Sequence, residues 1–202
     1  MPGFGVADLR SKIGARGGFA FGNKYKVIIP KPPIMGGSST GGSDIDRHLS
    51  LMCETAALPT RGLATGERKI HGAPFKIPYS STYTEVAMSF FLTDRLDEKS
   101  FFDEWQAKIV DPVTNNMGFY KDYVTQVVIA KLSSQSLGPD QSLNEKTDYI
   151  ITLVDAWPGL VGEVGLSHAG GAEILKLSVT MYYHKWVRGH GGRIQWKASA
   201  DS

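Results

Sequence analysis

The sequence predicts a mainly β protein, an antiparallel sandwich or barrel of about six or seven strands with a single helix packed on it. Short apolar runs with alternating side chains recur along the chain, and its 23 glycines and 10 prolines cluster between them. One segment has good helical periodicity, so the regular helix–strand alternation of parallel sheets is absent. With 202 residues and 42% hydrophobic content, the chain can bury a core.

Composition excludes several classes of protein. The 22 basic and 20 acidic residues give a formal charge of +2, which is weaker than the basic excess of a dedicated duplex-DNA binder. Cys53 is the one cysteine, which excludes intramolecular disulfides and cysteine-based zinc sites, and we expect it to act as a small buried hydrophobe. No apolar run reaches 18 residues and no signal-peptide pattern opens the chain, so we expect a soluble protein made in a cytoplasm, with no membrane partner.

The first 57 residues are predicted to contain an arm and two strands. Residues 1–21 form the arm, because glycines interrupt any helical pattern. Residues 22–30 alternate as a first strand, whose inward face carries Tyr25, Val27 and Ile29. A flexible loop rich in glycine and serine at 36–43 then precedes a second extended run at 49–57.

Residues 66–78 combine apolar side chains with several charges, a glycine and prolines. Pro74 cannot donate to a strand ladder, so this segment is a poor central strand. It fits a long hairpin or an edge strand whose partner lies elsewhere. Such an edge either pairs with identical copies or belongs to a monomer whose charges and prolines keep it unpaired, and physics alone leaves the two readings equal.

A strand and the one good helix follow. Residues 83–93 place Val86, Met88, Phe90 and Leu92 in strict alternation, which predicts a buried strand face. Residues 97–110 begin with two acidic residues and have helical spacing of their apolar side chains, and Asp111-Pro112 ends the helix. The side chains expected to pack on the sheet are Phe102, Trp105 and Ile109.

The remainder reads as strands and turns. Three strands are predicted at residues 123–132, 147–157 and 173–186, the last being the longest. The first two are joined as a hairpin through residues 133–146. Trp157-Pro158-Gly159 and residues 167–172 are predicted turns. The expected organisation is therefore an arm at 1–21, a β domain at 22–186 that contains the segment 66–78, and a basic tail at 187–202.

A search for chemistry finds no catalytic, cofactor-binding or metal site. The five histidines lack metal-ligand spacing: His48, His71, His168, His184 and His190. The glycine-rich loop lacks the Lys-Ser/Thr of a phosphate-binding loop. Helix-dipole complementarity and a solvated face explain the acidic cluster better than a catalytic pair does, its members being Asp94, Asp97, Glu98, Asp103 and Glu104.

Several separated motifs, taken together, resemble a known family. Cys53-Glu54-Thr55-Ala56-Ala57-Leu58-Pro59 followed by Glu67-Arg68-Lys69-Ile70-His71-Gly72 is similar to the entry strand and hairpin of the tail-tube proteins of contractile-tailed bacteriophages. The order continues with the strand at 83–93, Phe102-Asp103-Glu104-Trp105, the strand at 123–132, the Trp157-Pro158 segment and the long closing strand. The resemblance spans residues 20 to about 186.

This resemblance implies a structural virion protein with no catalysis and no cofactor. Six copies would form a ring, rings would stack into the inner tube, and phage DNA would pass through the lumen without sequence-specific binding. Sheath subunits, baseplate proteins and the tape-measure protein are the implied partners. The resemblance also implies that residues 66–78 are an assembly hairpin. The implied assembly residues are Arg68, Lys69, Ile70, His71, Phe75, Lys76 and Ile77, and the implied core and turn residues are Phe102, Trp105, Trp157 and Pro158.

The sequence departs from a plain tube subunit in its long N-terminal arm and in Asp111-Pro112-Val113-Thr114, which is similar to the baseplate proteins that start the tube. We therefore favour a tube initiator over the main tube subunit. The alternatives are a type VI secretion tube ring protein and a carbohydrate-binding β-sandwich. The last usually exposes aromatic residues on one sheet face, whereas Trp105 is predicted on the helix and Trp157 at a turn.

Overall fold

The computed structural model describes residues 5–15, 18–36, 44–69, 72–132, 147–168 and 173–189. The strands there are β1 Tyr25–Ile28, β2 Cys53–Ala56, β3 Arg61–Arg68, β4 Phe75–Tyr83, β5 Val86–Phe91, β6 Thr125–Leu132, β7 Thr147–Val161, β8 Lys176–Tyr182 and β9 Lys185–Gly189. The helices are α1 Val6–Ala15, α2 Asp44–Met52, α3 Asp97–Ile109 and α4 Tyr120–Tyr123, with a 3-10 turn at Pro33–Met35.

All strand pairs are antiparallel, and the mainly β class is confirmed. The principal sheet has seven strands in the order β1-β6-β7-β8-β5-β2, with β9 also paired to β7. The partners of β8 and β9 follow one another along β7, from Val161 to Ile150, so these two strands lie end to end on the same edge. The predicted strand at 173–186 is thus two strands, divided at Tyr183 and His184. Strands β3 and β4 form a separate two-stranded sheet.

Strand β7 joins the two halves of the fold. Its first part pairs with β6 and β9, and its last part pairs with β8. Between them Asp155 has a φ of 57°, close to a shift in the register with β6. A bulge of this kind bends a strand and increases its twist. The bend lets one long strand belong to both walls around the main core.

The prediction that Trp157-Pro158-Gly159 turns the chain is wrong, because β7 continues through all three residues. Pro158 is opposite Met181 of β8. The register with β8 shifts between Pro158 and Leu160. The side-chain amide of Gln106 donates to the carbonyl oxygens of Pro158 and Gly159 at this shift, each at 3.3 Å. A sheet tolerates proline at an irregular position of this kind, because proline has no N–H to donate to the ladder.

Helix α3 lies against the strands and supplies the largest core side chains. It agrees with the predicted helix at 97–110 to within one residue. Phe102 and Trp105 are fully buried, and Phe101 and Ile109 are almost so. The Trp105 indole donates a hydrogen bond to the backbone oxygen of Tyr123 at 2.8 Å. The polar edge of this buried ring is therefore satisfied within the core.

Three further expectations about local structure are wrong. The run at 49–57 is a strand only in part, since α2 extends to Met52 and Cys53–Ala56 alone forms a strand. The predicted single helix is one of four in the described ranges, and α1 lies in the arm that was expected to lack a helix. No residue of α1 is buried, so this helix does not contribute to the core.

Candidate assembly interface

The β3–β4 hairpin contributes little to the core of its own subunit. The two strands pair from Arg61 opposite Tyr83 to Arg68 opposite Phe75, so the hairpin is longer than the predicted 66–78 segment. Of the two readings of residues 66–78, the long hairpin is confirmed, because β3 and β4 pair with each other. No residue in either strand is buried. Neither strand makes extensive contact with any other element.

One face of this hairpin is apolar. The register places Ala64, Gly66 and Arg68 on the same face as Phe75 and Ile77. Tyr79, at the bulge between the two strands, belongs to that face, because its ring lies 3.7 Å from the position that a Cβ of Gly66 would occupy. Phe75 and Tyr79 are 49% and 74% exposed. An aromatic surface therefore covers a strand of small residues and faces outward.

The predicted interface residues divide between the two faces. Lys76 is opposite Glu67 on the polar face, whereas Arg68 is opposite Phe75 on the apolar face. Lys69 follows β3 and is exposed. Ile70 and His71 lie outside the described residues, so their expected role stays a prediction.

The root of the hairpin is fixed to the break between β8 and β9. The rings of Tyr83 and Tyr183 meet edge to face, with centroids 6.3 Å apart. The Tyr183 hydroxyl donates to the Thr84 carbonyl at 2.6 Å, and the Trp186 indole donates to the Thr60 carbonyl at 3.4 Å. Burial, followed by the nearby Tyr83 and Glu85, raises the pKa of Tyr183. The hairpin is thus held at its base by residues at the break between β8 and β9.

The principal sheet also has open edges. In the described part of the chain β1, β2 and β9 each pair on one side only. The edges of β1 and β2 approach each other through the Tyr25 hydroxyl, which lies 3.0 Å from the Cys53 carbonyl and also contacts that of Glu54. Burial and the neighbouring Cys53 and Glu54 raise the pKa of Tyr25 to about 12. A single hydroxyl group therefore bridges the edges of β1 and β2, which are not paired as strands. We call this contact the seam.

Cys53 is half-buried at this seam, not fully buried as expected. Burial raises the pKa of its thiol to about 11. Because the thiolate is the nucleophile, a thiol with so high a pKa is unreactive at neutral pH.

A groove of about 700 Å³ separates α2 from α3. Its apolar lining is supplied by Met35, Ile45, Leu51 and Phe101. Three acidic side chains, Asp44, Asp97 and Glu104, also line it, together with Lys31, Arg47 and His48. Asp97, Phe101 and Glu104 repeat along one face of α3 at helical spacing. The groove is therefore an apolar depression with one acidic wall.

Glu98 fixes the two helices below that groove, which corrects its assignment to a solvated face. Its carboxylate is fully buried and lies 2.6 Å from His48 Nε2 of α2. The amide and hydroxyl of Thr93 also donate to it, at 3.0 and 3.1 Å. Burial alone would raise the pKa of Glu98, but the hydrogen bonds from Thr93, from its own backbone and from His48 outweigh burial and lower that pKa.

The described residues contain no cluster of His, Cys, Asp and Glu able to hold a metal ion. His48 pairs with Glu98, while His168 and His184 are exposed. His190, like His71, falls outside those ranges. None of the helices described is long and apolar enough to cross a membrane.

Comparison with known proteins gives one family and a consistent fold. A family model for phage tail tube proteins matches residues 20–189. No curated protein has a matching sequence.

Three cryo-EM structures of contractile injection systems contain chains of similar fold. A chain of the anti-feeding prophage baseplate, 6-fold symmetrised, aligns with a TM-score of 0.55 and 14% identity, covering 85% of this chain and 96% of that one. The tube-terminating cap of the anti-feeding prophage gives 0.59 and 11%, covering 86% and 92%. The sheath–tube complex of an extracellular contractile injection system, PVC, in the extended state gives 0.57 and 10%, covering 93% and 99%.

Proposed function

The chain belongs to the family of phage tail tube proteins, and from that membership we propose that it is a ring subunit of the inner tube of a contractile phage tail. Its role is structural and involves no catalysis. Six copies close one ring, and rings stack into a tube. The single observation that supports this best is the β3–β4 hairpin, which buries no residue in its own subunit.

A ring explains why so much strand edge is left unpaired. An open edge is a template for pairing with another chain, and soluble monomers usually block such edges. The described part of this chain leaves β1, β2 and β9 open on one side. Closing copies of the chain into one continuous barrel abolishes edges of this kind. The open edges and the hairpin therefore support assembly of identical copies, and weigh against a monomer.

The proposed partners follow from this position in the virion. Sheath subunits surround the tube, baseplate proteins lie at one end, and the tape-measure protein occupies the lumen before ejection. Phage DNA then passes without sequence-specific binding, in keeping with a formal charge of only +2. The subunit is made in the host cytoplasm before it enters the tail.

We place this ring at the baseplate-proximal start of the tube. The support is the segment Asp111-Pro112-Val113-Thr114, which lies in a loop after α3 closed by a bridge between Val110 and Met117. Val113 and Met117 are 87% and 72% exposed. Apolar side chains presented in this way suit contact with a different protein. An initiator should stop at single rings when purified, whereas a main tube subunit should polymerise into long tubes, and electron microscopy separates the two.

Negative-stain images of the purified protein test the proposed function. We expect rings or short stacks from the wild type. The double variant Ile70→Asp, Phe75→Asp should remain folded by circular dichroism yet form no rings, because it places unpaired charge in the interface.

A matched control makes the same two replacements outside the hairpin. Leu166 and Ile174 are exposed apolar residues, and Leu166→Asp, Ile174→Asp should leave assembly intact. Rings of normal appearance from the hairpin variant would contradict the proposed role of the hairpin. A wild type that stays monomeric at all concentrations would contradict the proposed function itself.

A further inference from the structure

Two surfaces of the molecule carry opposite charge that the fold does not neutralise. On α3, Asp97 and Glu104 are exposed and make no ion pair with any described residue. On the hairpin, Arg68 and Lys69 are likewise exposed and unpaired within the described part of the chain. Opposite charges on two separate surfaces are complementary, and such complementarity suits the two surfaces to meet across a subunit boundary.

The net charges agree with this pairing. The hairpin, residues 61–83, carries four basic side chains and one acidic side chain, a net charge of +3. In the groove between α2 and α3 the acidic residues of α3 form one wall. Lys31 and Arg47 line the groove from the side of β1 and α2. A basic ligand therefore has one favourable orientation, with its charged end towards α3.

The apolar parts also match. The hairpin presents Phe75, Ile77 and Tyr79 on one face, next to Arg68. The groove presents an apolar lining of Met35, Ile45, Leu51 and Phe101, of which Leu51 is 79% exposed. Burying aromatic side chains in such a depression, with charged pairs at the rim, is the usual composition of a protein–protein contact.

We propose that the β3–β4 hairpin of one copy docks in the α2–α3 groove of a neighbouring copy. Its apolar face covers the groove lining, and Arg68 and Lys69 meet Asp97 and Glu104. The inference rests on the proposed function and names the receiving surface for the hairpin.

The contact is between copies, not within one. The root of the hairpin is held by Tyr183 and Trp186, and neither of its strands has extensive contact with its own α2 or α3. A hairpin on one surface and a groove on another make a head-to-tail contact, in which each copy gives one and receives one. Contacts of that type generate a closed ring when the rotation between copies closes.

Charge exchange between the two surfaces tests the proposal. The variant Arg68→Glu, Lys69→Glu and the variant Asp97→Lys, Glu104→Lys should each reduce ring formation at least about tenfold, because like charges then face each other. A protein carrying all four replacements restores opposite signs and should recover assembly to within about threefold of wild type. The control, Asp122→Lys with Glu163→Lys, makes the same change of charge at exposed positions outside the groove lining and should assemble normally.

A cross-link gives an independent readout. In a Cys53→Ser background, one protein carries Phe75→Cys and a second carries Leu51→Cys. After mild oxidation of the mixture, we expect a disulfide-linked dimer containing one of each, and no such band when either protein is replaced by one with Tyr182→Cys.

The outcomes separate the two proposals. Rings from the wild type, with no rescue by the fourfold exchange and no mixed dimer, overturn the docking surface and leave the proposed function standing. Normal assembly of the variant Asp97→Lys, Glu104→Lys would also overturn the docking surface, since the hairpin must then bind elsewhere. A wild type that never forms rings overturns the proposed function, and this inference with it.

Discussion

Helix α3 and the β3–β4 hairpin contain similar residues, but α3 buries them and the hairpin exposes them. Both carry aromatic side chains among several charges. Helix α3 buries Phe101, Phe102 and Trp105 against the sheet, whereas the hairpin leaves Phe75 and Tyr79 exposed. The difference is that α3 packs on the principal sheet, whereas no element of the described ranges packs on the apolar face of the hairpin.

The comparison explains which region stabilises the subunit and which leaves apolar surface exposed. A two-stranded hairpin alone is at best marginally stable in water. Here its root is tied to residues at the break between β8 and β9, while Phe75 and Tyr79 on its apolar face stay exposed. Residue composition therefore does not separate the core from an exposed apolar face. The presence or absence of a covering element does.

The largest expected effect on stability comes from truncating a core side chain of α3. Trp105→Ala removes a fully buried ring and its hydrogen bond to Tyr123. We expect a loss of about 3–5 kcal/mol in the free energy of unfolding. Urea denaturation followed by circular dichroism measures it. A midpoint equal to that of the wild type would show that α3 is misplaced.

The next effect concerns the buried carboxylate under the same helix. Glu98→Gln keeps the shape of the side chain but removes the charge that His48 and Thr93 donate to. We expect a loss of about 1–3 kcal/mol, since a buried donor is left poorly satisfied. Denaturation of Glu104→Gln, at an exposed position of the same helix, provides the control and should change little.

The pH dependence of stability should follow Glu98. Its folded-state pKa is lowered, so its contribution is present above the ordinary value of about 4.3 and is lost as the pH falls through the lower folded-state pKa. The wild type should therefore lose stability below about pH 4 more steeply than Glu98→Gln does. Denaturation midpoints between pH 7 and pH 3 measure this. Parallel curves for the two proteins would contradict it.

The smallest effect on stability is expected from a substitution in the hairpin. Tyr79→Ala truncates an aromatic residue, as Trp105→Ala does, but at a site that is 74% exposed. Exposed replacements usually change stability by no more than about 0.5 kcal/mol. We expect a nearly unchanged unfolding midpoint together with weaker ring formation. A loss as large as that of Trp105→Ala would mean that the hairpin belongs to the subunit core.

The elements that the sequence predicts well are those whose residue pattern fits only one kind of secondary structure. Val86, Met88 and Phe90 alternate and are all buried in β5, and α3 has helical spacing, an acidic start and an Asp-Pro stop. Their local patterns agree with their tertiary surroundings, so short-range information suffices.

The predictions fail where residues far apart in the sequence determine the local structure. Ile45, Leu49 and Met52 have helical spacing behind two acidic residues, a signal for α2 that the apolar run at 49–57 obscured. Pro158 reads as a turn, yet it lies in β7 at a shift of register with β8, where a strand tolerates a proline. The Glu98 and His48 pair spans fifty residues, and the α2–α3 groove needs both helices in place, so no local pattern indicates either.

The bend in β7 has a consequence for the order of folding. Because β7 is shared, neither wall of the sandwich is complete without it, and its partners β8 and β9 come last in the described chain. Pairings between such distant segments form slowly. On the ribosome, β1 to β6 must wait for the final quarter of the chain before the core can close. The root of the hairpin is held by Tyr183 and Trp186, which also come late in the chain, so the hairpin is fixed in place only when the core closes.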